Sequence, residues 1–105
     1  MNDIYNSTPP TPTGDLALQT VAMLKDTNSM GDISGGWILS LMDIAGSSTA
    51  NRIASGRVAA VAVESMSFMH PVSVGNTICC YVNIETIGRS SININIEVWV
   101  RKHYE

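Results

Sequence analysis

The chain has 105 residues and a mass of 11.3 kDa, which leaves room for one domain and excludes a two-domain enzyme. Only 14 % of residues are charged while 45 % are apolar, so little polar material is left to coat an isolated monomer and an oligomer is expected. The net charge of −3 without any basic run argues against DNA or RNA as a partner, and no stretch approaches the roughly 20 apolar residues that span a bilayer.

The opening MNDIYNSTPP lacks the basic-then-apolar order of a signal peptide, so a cytoplasmic location is expected. Residues 1–14, with Pro9, Pro10, Pro12 and Gly14 among Ser, Thr and Asn, have the composition of a flexible arm. The folded domain is expected over 15–105. Residues 16–24 alternate weakly and predict a first strand, ended by the turn-prone stretch 25–29. Gly31-Asp32-Ile33-Ser34-Gly35-Gly36 follows, and its three glycines permit backbone conformations and close approaches that side chains would block.

Residues 37–53 contain no Pro and carry Ile38, Leu41, Met42, Ala45 and Thr49 at helical spacing, which predicts a helix of roughly 17 residues and about 25 Å. Ser34 is its expected N-cap and Gly56 its stop. Trp37, Leu39 and Ile44 lie off the main stripe, so this helix is expected to be enclosed on nearly every side. The remainder reads as strands over 57–69, 77–87 and 91–101, with a turn at 70–76 and a second around Gly88. In the last strand Ile92, Ile94, Ile96, Val98 and Val100 share one face that must be covered, and the central helix is the available cover. The expected fold is α+β, a curled antiparallel sheet around one helix.

Cys79 and Cys80 are neighbours in a strand, where their side chains point to opposite faces and a disulfide between them is disfavoured. They read as small apolar filler. With His70 and His103 far apart, no metal-ligand spacing exists. His70 precedes Pro71 and reads as a turn residue without triad partners. Asp43 is the one charged residue between Asp32 and Arg52, and Leu39, Ser40, Gly46 and Ser47 are its helical neighbours. It is either a solvated or capping carboxylate, or a base whose burial raises its pKa toward neutrality. The amides of Gly35, Gly36 and Trp37 either complete a sharp turn or polarise a carbonyl and stabilise an oxyanion. Asn28 is either a turn residue or one that orients a water or a substrate carbonyl.

Asp26-Thr27-Asn28-Ser29-Met30-Gly31-Asp32-Ile33-Ser34-Gly35-Gly36-Trp37-Ile38, continuing through Met42-Asp43 and Gly46, resembles the active-site segment of hot-dog-fold acyl-CoA thioesterases of the bacterial YciA type. Gly56-Arg57-Val58, the 61–68 segment VAVESMSF, Pro71-Val72-Ser73-Val74-Gly75, and Gly88-Arg89-Ser90-Ser91 with Glu97-Val98-Trp99-Val100 are similar in order and spacing. The resemblance covers about residues 16 to 102. It implies hydrolysis of acyl-CoA to a free fatty or short-chain acid and coenzyme A without metal or organic cofactor. It also implies a dimer, commonly assembled to a hexamer, with sites at the dimer interface. Asp43 would be general base or nucleophile, Asn28 would position water or thioester, and the backbone around Gly36 would polarise the carbonyl. Gly35 and Trp37 would line the substrate, and Arg89, Ser90 and Ser91 would lie near the coenzyme A nucleotide.

In that family a further strand follows the position of Arg101, so the C-terminal strand of the fold is expected to be missing and the isoleucine-faced strand to present an open edge; either the sequence is a truncated form or a neighbouring chain supplies the pairing. The alternative function is a non-catalytic hot-dog module that binds acyl-CoA or mediates assembly, inactive because of the C-terminal truncation. A dehydratase is disfavoured because the helix contains no histidine, and an acyl-CoA-sensing transcription regulator because 15 leading residues cannot form a DNA-binding helical domain.

Overall fold

A computed structural model describes residues 11–54, 72–88 and 91–102. Strand β1 (Asp15–Val21), a 3-10 turn (Leu24–Asp26), helix α1 (Gly35–Ala54) and strands β2 (Thr77–Ile87) and β3 (Ile92–Arg101) follow in order. Among the described residues the strands form an antiparallel sheet in the order β1-β2-β3, with α1 packed across it. This is the expected α+β arrangement, with the sheet left open. The strand expected over 57–69, together with His70, Arg89 and Ser90, lies outside the described residues.

Alternation decides which side chains face the helix. Ile78, Cys80 and Val82 of β2 are buried with Ala22, Leu41 and Ala45, and Ile94, Ile96 and Val98 of β3 pack against them. The two cysteines are free and buried, and burial, with Cys79 alongside, pushes the Cys80 thiol up to about 11. On the opposite face Cys79 pairs across strands with Gln19 and with Trp99, and the Trp99 indole N–H donates to Glu97 Oε1 (2.9 Å). That oxygen also accepts the Thr13 N–H (3.4 Å), which ties the residues just before β1 to the far strand. β1 is shorter than the expected 16–24 because the chain leaves the sheet at Ala22. There its N–H donates to Asn76 O (2.9 Å) and its carbonyl accepts the Gly75 N–H (2.8 Å), and Gly75 takes a φ of +95° that favours glycine.

The helix begins two residues before the expected Trp37 and ends one after Ile53. Its inner stripe is as expected: Ile38, Leu41, Met42, Ala45, Thr49 and Ala50 are all buried. Enclosure on nearly every side is not found, since Leu39 and Ile44 remain 36 % and 53 % exposed. One open sheet covers about half of a helix, and these residues point away from it.

Candidate active site

The segment between β1 and α1 is built almost wholly from its own hydrogen bonds. Within the 3-10 turn the Asp26 N–H donates to Met23 O (2.9 Å) and the Met23 N–H returns to Asp26 Oδ2 (3.0 Å). Asp26 is buried although it is acidic. The Met23 N–H holds its carboxyl below the usual range against the opposing effect of burial, with lesser help from Lys25. Next, Thr27 and Ile33 form an isolated antiparallel bridge, closed by the Asn28 N–H to Asp32 O (2.7 Å) and the Gly31 N–H to Asn28 O (3.0 Å). Gly31 turns this small hairpin with a φ of +86°.

The Asn28 side chain completes it. Oδ1 accepts the N–H groups of Met30 (2.9 Å) and Asp32 (3.1 Å). Two backbone donors identify that atom as the oxygen and leave Nδ2 as the outward group, which can only donate. Asn28 is therefore the turn residue that one of the two readings expected, and it is exposed.

Asp26 also reaches the helix. A helix start leaves four N–H groups without an intrahelical carbonyl. The first, from Ser34, donates to Asp26 O (3.1 Å), and the Ser34 carbonyl accepts the Ile38 N–H (3.3 Å). The other three belong to Gly35, Gly36 and Trp37, where the helix dipole favours negative charge. Gly35 and Gly36 are exposed, and among the described residues a side chain at Gly36 would meet only Ser34 Oγ, at 3.6 Å. Trp37 is half-buried with its side chain against the core, and its carbonyl accepts the Ser40 hydroxyl (2.6 Å).

Asp43 lies two turns further along, on the same side as Gly36. Of the two readings left open for Asp43, a solvated or capping carboxylate and a buried base, this chain alone shows a carboxylate that is exposed, together with Leu39, Ser40 and Ile44. Its sequence neighbours Met42 and Ile44 are apolar, but its neighbours in space are one turn away, and the face they form points away from the sheet. The Ser47 hydroxyl lies 3.5 Å from Asp43 Oδ1 as donor. The chain thus joins Asn28 to the helix start and places Asp43 apart from both. Seven residues of helix separate Asp43 from Gly36 by about 10 Å along the axis. Ser91, at the hairpin between β2 and β3, is exposed and accepts the Gly88 N–H through its carbonyl (2.7 Å). The residue that sequence reasoning passed over is Asp26; the signal for it was an Asp three residues after a turn start, able to reach back to the backbone there.

A family model of the thioesterase superfamily matches residues 30–105. The chain belongs to that superfamily. Among curated proteins it is 55 % identical over 92 residues to the acyl-CoA thioester hydrolase YciA of Salmonella typhimurium, covering 88 % of this chain and 69 % of that one. A hexameric broad-specificity acyl-coenzyme A thioesterase superposes with a TM-score of 0.85 at 55 % identity, over 89 % of this chain and 63 % of its own. A hexameric hotdog-fold thioesterase of Campylobacter jejuni follows at 0.77 and 39 %, over 83 % and 65 %. The chain thus spans just under two thirds of both solved relatives.

Proposed function

We propose that this chain is an acyl-CoA thioester hydrolase that works as a homo-oligomer, a dimer assembled to a hexamer, with each active site shared between two copies. The observation that carries this reading is an exposed carboxylate, Asp43, on the same helix whose start leaves the amides of Gly35 and Gly36, both exposed, without an intrahelical carbonyl. It is supported by 55 % identity to a YciA acyl-CoA thioester hydrolase over most of the chain. The thioester carbonyl accepts hydrogen bonds from the free amides at Gly35 and Gly36 and from Asn28 Nδ2. Asp43 takes a proton from a water that attacks the carbonyl carbon. A C–O bond forms, the C–S bond breaks, and coenzyme A leaves as a thiolate that is then protonated. General-base catalysis of this kind contributes about 10² to 10⁴ in rate, and losing one oxyanion donor typically costs about 10² to 10³ in kcat.

The spacing along α1 supports a site shared between two copies. Reacting groups must come within roughly 3 to 3.5 Å of one carbonyl, so a base about 10 Å along the axis from the amides of its own helix serves the amides of another. The exposed Leu39 and Ile44 beside Asp43 give a second copy an apolar surface to cover.

Thiol release from acyl-CoA tests the chemistry, and mixing variants tests the shared site. Asp43→Asn is expected to lose at least about 100-fold in kcat with an unchanged Tm, because the side chain is exposed. Asn28→Asp alone should be similarly inactive. Oligomers reassembled from both variants should recover roughly a quarter of wild-type activity, since half the dimers are mixed and each of those holds one intact site. Acyl-CoA binding by calorimetry with no turnover in the wild type would instead favour the non-catalytic module. No recovery in demonstrably mixed oligomers would return the site to a single chain.

A further inference from the structure

Asp26 stands apart from the groups that would touch substrate. It is 8 % exposed, and a buried carboxylate on the surface side of a small domain calls for a structural or functional reason. Three of its groups act at once. The carboxylate accepts the Met23 N–H, the N–H donates to Met23 O, and the carbonyl accepts the Ser34 N–H at the helix start. Thr27, the next residue, opens the bridge to Ile33, and Asn28 follows. Asp26 is thus the point at which the Asn28 hairpin is fixed relative to the amides of Gly35 and Gly36.

We propose that Asp26 is a positioning residue for thioester hydrolysis, whose carboxylate, by locking the turn at Met23, sets where Asn28 Nδ2 stands against the free helix amides. This rests on the reading of the site as a thioesterase centre. Lys25 does not account for the burial of Asp26: it is 78 % exposed at its side chain, and a pair so open to water is worth little. The Met23 N–H is the partner that matters, a charge-assisted bond at a fixed point of the backbone. Without it Met23 and Asp26 keep one backbone bond, and the turn gains freedom to swing. A displacement of about 1 Å in a positioning group can cost on the order of 100-fold in rate.

The test compares Asp26→Ala and Asp26→Asn with wild type in three readouts: kcat and KM on acyl-CoA, Tm, and amide hydrogen exchange at Met30, Asp32 and Ser34. Asp26→Ala should lose about tenfold or more in kcat while KM changes by less than about threefold. Exchange should quicken at Met30 and Asp32, the two amides that close on Asn28, at temperatures where the protein is fully folded. Asp26→Asn retains an acceptor oxygen for the Met23 N–H and should recover most of both effects. A folded Asp26→Ala with wild-type kcat would overturn the proposal, as would a loss in kcat that only follows the folded fraction. If Asp26→Ala does not fold, Asp26→Ser decides in its place: exchange at Met30 and Asp32 must quicken and kcat must fall, and a change in either alone, or in neither, defeats the proposal. Should the wild type itself release no thiol, the thioesterase reading fails, while the exchange data still report whether Asp26 holds the hairpin.

Discussion

The hairpin at 27–33 and the outer face of α1 are neighbours in sequence and opposites in construction. In the hairpin, Asn28 alone takes part in four hydrogen bonds, two through Oδ1 and two through its backbone. On the helix face, Leu39, Ser40, Asp43 and Ile44 are left exposed, and among the described residues the one bond made by the Asp43 carboxylate is a long one from Ser47. The contrast separates two requirements of catalysis. Donors that polarise a carbonyl work by being held still, which a chain can arrange for itself through local bonds. A base must meet a substrate, and here its surroundings are left for another surface to supply.

The largest effect that sharpens this contrast is expected from Asn28→Asp. The introduced carboxylate still accepts the Met30 and Asp32 N–H groups, so the hairpin keeps its fold and Tm should not fall. The outward donor becomes an acceptor, and kcat should drop by about 10². Asn28→Ala, in contrast, loses both roles and should lower Tm as well. Equal kcat for Asn28→Asp and wild type would show that Nδ2 has no part in the reaction. A smaller effect is expected at Gly31. Its φ is +86° and none of the described residues lies within 4 Å of an added Cβ, so Gly31→Ala meets no clash among them and is expected to cost backbone strain, about 1 kcal/mol, or roughly 5 °C in Tm. Exchange should rise at Gly31 and Asp32 and stay unchanged through α1; a rise along the helix would show that the two regions are not separately held.

Periodicity made the scaffold legible. The stripe from Ile38 to Thr49 and the alternation of β2 and β3 are set by which faces must be dry, and those faces repeat at 3.6 and at 2 residues. β2 runs over Thr77–Ile87, as the alternation and the flanking Asn76 and Gly88 indicate. Asp43 was harder to place, because its flanking Met42 and Ile44 suggest burial along the sequence while its helical neighbours Ser40 and Ser47 decide it in space. The length of β1 was not legible, because at Ala22 the partners are backbone groups of Asn76 and Gly75, and backbone partners on both sides leave no mark on residue type. Asp26 did leave a mark, since its carboxylate reaches the Met23 N–H from three residues past the turn start, but that pattern is short and lies outside any periodic stretch. The family resemblance identified the 26–38 segment as important without showing that its residues hold one another in place.

The smallest effect, and the one that probes the hairpin's anchor directly, is the pH dependence of stability. Asp26 has an ordinary value of 3.8, and the Met23 N–H lowers it in the folded chain. A carboxylate whose folded pKa lies below its unfolded one contributes stability that is fully present above the unfolded value and is lost as pH falls through the folded one. Urea unfolding of wild type and Asp26→Asn should therefore differ by a constant amount from pH 7 down to about 5, and the two curves should converge as pH drops below 3.8. Glu97 adds a parallel slope below its ordinary 4.5, held down first by the Trp99 indole N–H, but this slope is common to both proteins and cancels in the difference. A gap that persists unchanged into acid would mean that the difference between Asp and Asn at this position does not come from the charge on Asp26.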